Sequence, residues 1–308
     1  MINKTLPLYL ALAITVGYPF LVTQKAFGQT QTEQTQPSTK PSLSVEESKA
    51  ILEEIKQLNK EIEQLNTQAK YSQATPLAER ALILYEKLLG KNHSDVSKMV
   101  NNLAILYQNQ NKYRQAELLF KRSLSIEENL LGQEHPNVTY PLNNLAQLYK
   151  LQKKYQQAEP LLKRSLSILE NSRGEENTLL NTSLSTSLPS NLENLADLYR
   201  LQRKYQQSEQ LYQRSLEIKE KELGQEHPSV ATTLNNLGLI YQQMGQYQQA
   251  EQLYKRSLSI YQKSSPKEDS LLTAVLNNMA LMYQEQGDYQ KADPLFKRSL
   301  EIWEKLQQ

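Results

Sequence analysis

Apolar residues follow the chain with the spacing of paired amphipathic helices. Leu103, Ala104 and Tyr107 fall at i, i+1 and i+4, so they share one face of a first helix at about 3.6 residues per turn. A polar link follows at 109–112, and a second helix then carries a stripe of large and small residues, Tyr113, Ala116, Phe120 and Ser123. A large side chain opposite a small one lets neighbouring helices pack closely. The pattern therefore predicts a helical hairpin.

This hairpin pattern repeats every 42 residues. The doublet Asn101-Asn102 returns 42 residues later as Asn143-Asn144, and eight inserted residues then delay the third copy, Glu193-Asn194. The spacing of 42 resumes with the doublets Asn235-Asn236 and Asn277-Asn278. A fixed period of about 20 to 50 residues is typical of a solenoid, in which each repeat stacks on its neighbours. The sequence therefore predicts an all-α array.

The array is expected to span residues 45–308 in about six units. The first unit lacks the Leu-Ala-Tyr box, and its first helix, from about Ser44 to Thr67, is polar on one face, as a terminal capping unit should be. The insertion at 175–186 is rich in Ser, Thr and Asn and predicts a mobile loop, which costs little stability. The unit boundaries are about 53–94, 95–136, 137–186, 187–228, 229–270 and 271–308.

The repeated boxes resemble tetratricopeptide repeats, and in particular the 42-residue kind found in kinesin light chains. The Leu-Ala-x-x-Tyr box returns in the first helices as Leu145-Ala146-Tyr149, Leu195-Ala196-Tyr199, Leu237-Gly238-Tyr241 and Met279-Ala280-Tyr283. The second helices carry the matching sets Ala158-Leu162-Ser165, Ser208-Tyr212-Ser215, Ala250-Tyr254-Ser257 and Ala292-Phe296-Ser299. This resemblance covers residues 53–308 and implies a right-handed superhelix of twelve helices with a concave groove.

One position departs from the family pattern. The last small residue of the second helix is usually Ala in these repeats, whereas here it is Ser in every unit except the first, which has Ala81. A Ser hydroxyl can donate to the carbonyl one turn earlier in its own helix. We therefore expect the substitution to leave the packing undisturbed.

The N-terminus has the order of a secretory signal over residues 1–28. Lys4 precedes an apolar run at 6–22, and small residues then offer a cleavage site before Gln29. The alternative is an uncleaved membrane anchor, but a run broken by two prolines and a glycine is marginal for spanning ~30 Å. We expect an exported, periplasmic or secreted protein with no stable membrane insertion after cleavage. The Gln/Thr/Ser/Pro tract at 29–44 predicts a disordered linker.

Composition narrows the classes of function. The absence of Cys excludes disulfides, thiolate metal sites and a cysteine nucleophile. The signal segment holds two of the 35 basic residues, which leaves 33 against 33 acidic ones, whereas nucleic-acid binders normally carry a basic excess. We therefore expect no nucleic-acid partner. Eighteen Tyr against four Phe and one Trp indicate one structural position copied several times.

The sequence contains no recognisable catalytic or metal-binding motif. His93, His135 and His227 occupy the same loop position of three repeats, roughly 16–20 Å apart in a stacked solenoid. Zinc requires its ligands within about 2.1 Å of one ion, so these side chains cannot converge. No phosphate-binding Gly loop and no Ser-His-acid motif is present. We expect a protein that is not an enzyme and has no cofactor and no metal.

Recurring Lys-Arg pairs on the second helices could form an anion-binding patch. Each Lys, however, follows an acid by four residues, an order that stabilises a helix by ~0.2–0.5 kcal/mol per pair. We therefore favour a solvated, self-paired face. The pairs are Glu117 with Lys121, Glu159 with Lys163, Glu251 with Lys255, and Asp293 with Lys297.

Several polar positions of the first helices are not explained by packing. They lie opposite the Leu-Ala-Tyr face, and in the tetratricopeptide family that side of the first helix lines the concave groove. Asn offers both a donor and an acceptor, so a row of first-doublet Asn residues could pair with an extended peptide backbone. The second Asn of each doublet is expected either to favour the start of a helix or to pack against the next unit. Lys98, Lys150 and Arg200 would favour acidic ligands. The candidate groove residues are Lys98, Asn101, Gln108, Asn143, Gln147, Lys150, Arg200, Asn235, Gln242, Asn277 and Gln284.

Two functions remain at this point. The first is a non-catalytic scaffold that binds a peptide or partner protein in the groove. The alternative is a structural protein that forms homo-oligomers through its C-terminal helix. There the internal apolar pattern is repeated with no polar cap beyond it, and Trp303 replaces the Glu found at position 127. The residues that repeat the pattern are Leu295, Leu300, Ile302 and Leu306. The oligomeric state would separate the two.

Overall fold

The computed structural model describes residues 43–172, 178–264 and 270–306. The predicted signal segment at 1–28 and nearly all of the linker at 29–44 lie outside these residues. Within them, Ser44 caps the first helix: its Oγ accepts from the Glu47 amide, and the Glu47 carboxylate accepts from the Ser44 amide. The helix expected from about Ser44 to Thr67 is therefore present.

The described residues form twelve α-helices in six hairpins and contain no strand, so the predicted all-α superhelical repeat fold is confirmed. Each helix packs against its neighbours along the chain. None of the described helices is long and apolar enough to cross a membrane. The hairpins are α1 (Val45–Thr67) with α2 (Tyr71–Leu89), α3 (Ser94–Asn109) with α4 (Tyr113–Leu131), α5 (Thr139–Leu151) with α6 (Tyr155–Ser172), α7 (Thr178–Leu201) with α8 (Tyr205–Leu223), α9 (Pro228–Gln243) with α10 (Tyr247–Ser264), and α11 (Ser270–Glu285) with α12 (Tyr289–Leu306).

The three histidines cap helix N-termini. The Nδ1 atoms of His93, His135 and His227 accept the backbone N–H two residues further on, at 3.1, 3.2 and 3.1 Å. Each ring satisfies one of the amide groups that a helix start leaves unpaired. Helix capping therefore explains why the three histidines occupy the same loop position. Each ring caps a helix of a different repeat, as the sequence predicts.

Small residues allow the two helices of a hairpin to approach closely. Ala104, Ala116 and Phe120 are completely buried in one continuous apolar cluster. The approach is close at Gly238, where an added Cβ would lie 2.7 Å from the ring of Tyr254. Four other hairpins have an alanine, which carries a Cβ, at the position of Gly238, namely Ala104, Ala146, Ala196 and Ala280.

The repeated serines bond across helices. Ser257 Oγ donates to Ala231 O at 2.7 Å, and Ser123 Oγ lies 2.9 Å from Ser97 Oγ. The expected hydrogen bond to a carbonyl one turn earlier in the same helix is therefore wrong at these positions. The close packing of the first and second helices brings an acceptor of the neighbouring helix within reach, and a hydroxyl can rotate to meet it.

The insertion does not form a loop throughout. Helix α7 begins at Thr178, so residues 178–186 of the predicted loop are helical, and 175–177 lie outside the described residues. Lengthening an existing helix requires no new nucleation, so a run of weak helix formers can join it. The eight extra residues therefore lengthen the first helix of the fourth hairpin.

Candidate functional site

Asparagine pairs connect consecutive first helices. Asn144 Nδ2 on α5 donates to Asn101 Oδ1 on α3 at 2.9 Å, and Asn278 Nδ2 on α11 donates to Asn235 Oδ1 on α9 at 3.0 Å. The second Asn of a doublet thus bonds to the first Asn of the preceding hairpin. Two of the first-doublet residues predicted to meet a ligand therefore already accept a hydrogen bond within the array.

Helix α7 carries Glu193 where the other doublets begin with Asn. The Glu193 Oε1 atom accepts from Lys219 Nζ at 2.6 Å, from Ser215 Oγ at 2.9 Å and from Thr233 Oγ1 at 2.5 Å. Lys219 is only 8% exposed, and its ammonium also donates to Thr233 Oγ1 at 2.9 Å. This buried network joins α7, α8 and α9, so Glu193 has a structural role.

A second group of charges lies on the first helices α5 and α7. Lys150 Nζ is 3.8 Å from Asp197 Oδ2, and Arg200 Nη2 is 3.4 Å from Asp197 Oδ1. The Lys150 side chain is only 14% exposed. Burial lowers the pKa of Lys150 against the opposing attraction of Asp197. The structure therefore brings two predicted groove residues, Lys150 and Arg200, to one carboxylate that joins them.

Two of the predicted groove residues have an amide oxygen without a partner. Gln108 Oε1 and Asn143 Oδ1 are buried and accept no hydrogen bond from the described residues. An unpaired buried acceptor costs about 1–3 kcal/mol, and the great majority of buried polar atoms avoid that cost. Both atoms belong to the predicted groove residues.

The other predicted groove residues differ in how much they expose. Gln242 is 7% exposed, and its Oε1 accepts from the hydroxyl of Tyr254 at 2.8 Å, so that oxygen belongs to the hairpin interior. Lys98 is exposed and lies 2.9 Å from Asp95 Oδ1. Gln147 and Asn277 are half-buried, and Gln284 is exposed.

Sequence reasoning missed one large side chain of this surface. Tyr140 on α5 is 60% exposed and lies one turn before Asn143. Leu151 and Leu201, at the C-terminal ends of α5 and α7, are exposed as well. The helical spacing from Asn143 is the signal that could have found Tyr140. The surface therefore combines amide, charged and apolar groups.

Three of the four Lys-acid pairs that were predicted within the second helices are present. Lys121 Nζ lies 2.6 Å from Glu117 and Lys163 Nζ 2.7 Å from Glu159, and Lys255 pairs with Glu251. Asp293 and Lys297 form no ion pair among the described residues, so that prediction is wrong. Arginines add pairs between successive second helices, namely Arg122 with Glu86, Arg164 with Glu128, Arg214 with Glu170, and Arg256 with Glu220.

The repeated tyrosines bind the same acids from the next hairpin. Tyr149 OH donates to Glu117 Oε1 at 2.9 Å, and Tyr199 OH donates to Glu159 Oε1 at 3.4 Å. The Lys154 ammonium lies 5.8 Å from the centre of the Tyr149 ring, within the range of a cation–π contact. A repeated contact between hairpins thus accounts for part of the Tyr excess, and the tyrosine that begins each of the six second helices accounts for another part. Tyr241 with Glu209, Tyr107 with Glu79 and Tyr283 with Glu251 make the same kind of contact.

Among the described residues, no group of three or more His, Cys, Asp or Glu side chains could hold a metal ion. What the first helices present is a set of hydrogen-bonding and charged groups beside exposed apolar side chains. Such a surface can bind another molecule, and it carries no evident nucleophile activated by a neighbouring base.

Comparison with known proteins places the chain among repeat proteins. A family profile described as tetratricopeptide repeat matches residues 62–129, 95–171 and 187–263, and a second profile of the same description matches 272–306. No curated protein sequence matches the chain.

Solved structures show the same fold. BtubC (BKLC) from P. vanneervenii is 24% identical, with 81% of this chain and 92% of that chain covered and a TM-score of 0.61. A putative kinesin light chain from Podosopora anserina, with nearly identical TPR-like repeats, is 26% identical, with 70% and 99% covered and a TM-score of 0.57. Aspartyl phosphate phosphatase F from Bacillus subtilis is 14% identical, with 83% and 71% covered and a TM-score of 0.61.

Proposed function

Because the chain belongs to the tetratricopeptide repeat family, we propose that it is a non-catalytic scaffold whose concave groove binds an extended segment of a peptide or partner protein. The family is generally a scaffold fold for protein–protein interaction. The groove is formed by the first helices, and α3, α5 and α7 supply its central part. The cofactor-free, metal-free function expected from the sequence agrees with this proposal.

The observation that carries the proposal is the pair of unpartnered acceptors, Gln108 Oε1 and Asn143 Oδ1. Both oxygens are buried in the free protein, whereas their residues are only half-buried, so a rotation of the amide groups has to accompany binding. The backbone N–H groups of an extended peptide are then the donors that these atoms lack, whatever the side chains of the peptide. Ligand binding would remove a cost of about 1–3 kcal/mol at each atom.

The charged groups beside these acceptors bias the ligand. Lys150 and Arg200 outnumber Asp197 by one charge, whereas the exposed Lys98 on α3 is paired with Asp95 and adds no net charge. We therefore propose a modest preference for acidic segments that weakens with salt. An interface built from backbone hydrogen bonds and a few side chains predicts a micromolar affinity, roughly −8 kcal/mol.

The test is capture of immobilised acidic peptides by the double variant Gln108→Leu and Asn143→Leu. Binding should be lost, while stability should stay unchanged or rise because two unpaired buried oxygens are removed. The matched control is Gln210→Leu with Gln252→Leu, two amides on the second helices α8 and α10, away from the groove. Retention of the same peptides by the groove variant at the same salt concentration would contradict the proposal.

These two positions are better targets than the whole Asn row. Asn101 and Asn235 accept hydrogen bonds from the next hairpin, so a change to Ala at either position would also weaken the array. A loss of binding in such a variant could then come from altered stacking. The Gln108 and Asn143 oxygens have no such partner among the described residues.

A second candidate is self-association through α12. Trp303 is 47% exposed and Leu300 is also exposed, although both are large and apolar. A second copy of the chain could cover them. Sedimentation of the natural chain and of Trp303→Glu tests this, because the charge should prevent any association. A natural chain that remains monomeric at high concentration would rule the candidate out.

We also propose export to a periplasmic or extracellular location, on the strength of the signal pattern at 1–28. Intact-mass measurement of the protein from its native host should give a chain that begins at or near Gln29. A full-length mass would instead favour the uncleaved anchor.

A further inference from the structure

The links that join the two helices of each hairpin lie along one edge of the array. Antiparallel helices place the links within hairpins at one edge and the links between hairpins at the opposite edge. We call the first of these the turn edge, which contains each link and the first turn of the second helix that follows it. Its segments are residues 68–73, 110–115, 152–157, 202–207, 244–249 and 286–291.

Positive charge is concentrated on the turn edge of the first four hairpins. The fifth segment has no charged residue, and in the sixth Asp288 pairs with Lys291 at 2.9 Å. At the opposite edge, the described residues 90–95, 132–137 and 224–229 contain three acidic residues and one basic residue. The first four segments of the turn edge contain no acidic residue and seven exposed basic ones, namely Lys70, Lys112, Arg114, Lys153, Lys154, Arg203 and Lys204.

Most of these cations are not neutralised by the array itself. Only Lys204 forms an ion pair with the described residues, at 3.4 Å from Glu159, and that carboxylate is already paired with Lys163. The Lys112 ammonium lies 5.6 Å from the centre of the Tyr107 ring, a contact that leaves its charge uncompensated. The turn edge of the first four hairpins therefore carries a net positive charge.

Two of the cations occupy a backbone position that favours glycine. The second residue of each link has a positive φ, which is 58° at Lys153 and 60° at Arg203. The fifth and sixth hairpins have Gly245 and Gly287 at this position. A residue with a Cβ is strained in this conformation, whereas glycine is not. Local stability therefore does not explain the two cations, which leaves a role for their charge.

Apolar side chains adjoin the same basic links. Leu151 and Leu201, the last residues of α5 and α7, are 41% and 37% exposed, and each directly precedes a link. Tyr155 and Tyr205, which begin α6 and α8 after these links, are half-buried. Leu and Tyr side chains beside Lys and Arg are the combination that binds at the boundary between lipid headgroups and acyl chains. A soluble acidic chain would use the cations but would not need the leucines.

We propose that the turn edge of the third and fourth hairpins binds the anionic surface of a lipid bilayer. The basic residues of the two links would lie among the headgroups, and Leu151 and Leu201 would enter the boundary with the acyl chains. The attraction of an anionic leaflet adds up over the basic residues near its surface and decays within a Debye length of ~8 Å. Such binding is peripheral, and it is separate from the peptide contact proposed at Gln108 and Asn143.

The experiment measures binding of the full chain to two kinds of vesicle by flotation. One kind is phosphatidylcholine with about 30% phosphatidylglycerol, and the other is phosphatidylcholine alone. The ratio of the two affinities reports the anionic contribution, because the apolar run at 6–22, where it is retained, would bind both vesicles. The natural chain should prefer the anionic vesicles by at least about 100-fold at low salt. High salt should reduce this preference.

The first variant, Lys153→Gly with Arg203→Gly, removes two cations and relieves two strained backbone positions. It should lose about tenfold or more of the preference for anionic vesicles. Its thermal unfolding temperature should be unchanged or higher, so that a loss of binding cannot come from unfolding. The matched control is Lys91→Gln with Lys221→Gln, which removes two exposed cations at the opposite edge and should keep the preference of the natural chain.

The second variant, Leu151→Gln with Leu201→Gln, separates a lipid surface from a soluble polyanion. It should bind anionic vesicles about fivefold more weakly, because less apolar surface is buried. Its binding to polyglutamate should equal that of the natural chain.

Three results would overturn the inference. The first is equal binding of the natural chain to both kinds of vesicle. The second is a preference that Lys153→Gly with Arg203→Gly leaves unchanged. The third is binding to polyglutamate without binding to anionic vesicles, which would assign the turn edge to an acidic polypeptide instead of a membrane.

Discussion

The hairpin of α5 and α6 and the hairpin of α7 and α8 share one backbone pattern but differ in the polarity of their interior. Where the first has Asn143 and the buried Leu169, the second has Glu193 and the buried Lys219, which bond directly to each other. The same second hairpin also contributes Asp197 to the groove. The comparison teaches that the repeat fixes the helices, whereas individual hairpins can exchange apolar packing for a paired polar network.

The largest expected effect comes from breaking that network. Lys219→Ala leaves the Glu193 carboxylate buried without its cation, which should cost about 3–5 kcal/mol in the free energy of unfolding. Chemical denaturation measures the loss. Hydrogen exchange should localise it to α7, α8 and α9, because a solenoid is stabilised by contacts between neighbours.

The control for this change converts one hairpin into the other. The double variant Glu193→Asn with Lys219→Leu reproduces the pair found in α5 and α6. Replacement of a buried ion pair by groups without charge is often neutral or stabilising by about 1–4 kcal/mol. A double variant as damaged as Lys219→Ala would show that the loss does not come from the unpaired charge.

A smaller effect is expected where two hairpins differ in the space between their helices. Gly238→Ala places a Cβ 2.7 Å from the ring of Tyr254, whereas Ala196 is already accommodated opposite Tyr212. Such overpacking should lower the free energy of unfolding by about 1–3 kcal/mol. Thermal unfolding measures the loss, and no loss in the single variant would mean that the ring moves freely.

The control for the overpacked variant takes its residues from another hairpin. The double change Gly238→Ala with Tyr254→Leu copies the combination that Ala146 and Leu162 form in α5 and α6. Tyr254→Leu also removes the hydrogen bond to Gln242, so Tyr254→Leu alone is the reference for the double variant. The smaller Leu side chain leaves room for the added Cβ, and Gly238→Ala should therefore cost less in that background than in the natural chain.

The repeated tyrosines offer a finer comparison. Tyr149→Phe removes a hydrogen bond of 2.9 Å to Glu117, and Tyr199→Phe removes one of 3.4 Å to Glu159. The first change should cost about 0.5–1.5 kcal/mol and the second less, because a longer hydrogen bond is weaker. Chemical denaturation measures the loss in the free energy of unfolding for both variants. An equal loss in the two would contradict this ranking.

The smallest expected effect is a dependence on pH at the junction of these two hairpins. The Lys163 ammonium, followed by Gln202 and further cations, lowers the pKa of Glu159 from 4.5 to about 2. A depressed carboxylate pKa adds stability at higher pH, so that contribution is lost as the pH falls from about 4.5 towards 2. Glu159→Gln should flatten the pH dependence of unfolding in this window. An unaltered slope in Glu159→Gln would refute the assignment.

Much of the fold followed from the sequence because a helix buries its own periodic face. The box around Leu145, Ala146 and Tyr149 predicts which residues are buried, and all three are. The groove positions followed less well. The helical spacing placed Asn101 and Gln242 on the outer side of a first helix, but it could not give the partners that reach them from another helix, namely Asn144 and Tyr254.

The sequence by itself determined the repeat, the all-α fold and most of the self-paired charges of the second helices, because all of these depend on spacing within one helix or one hairpin. Only the tertiary structure decided which polar groups meet between helices. Glu193 and Lys219 come from the two facing helices of one hairpin, and Asp197 and Lys150 come from the first helices of successive hairpins. Both distances depend on the angle at which the helices pack. That angle results from the whole set of packed side chains, which no single periodicity encodes.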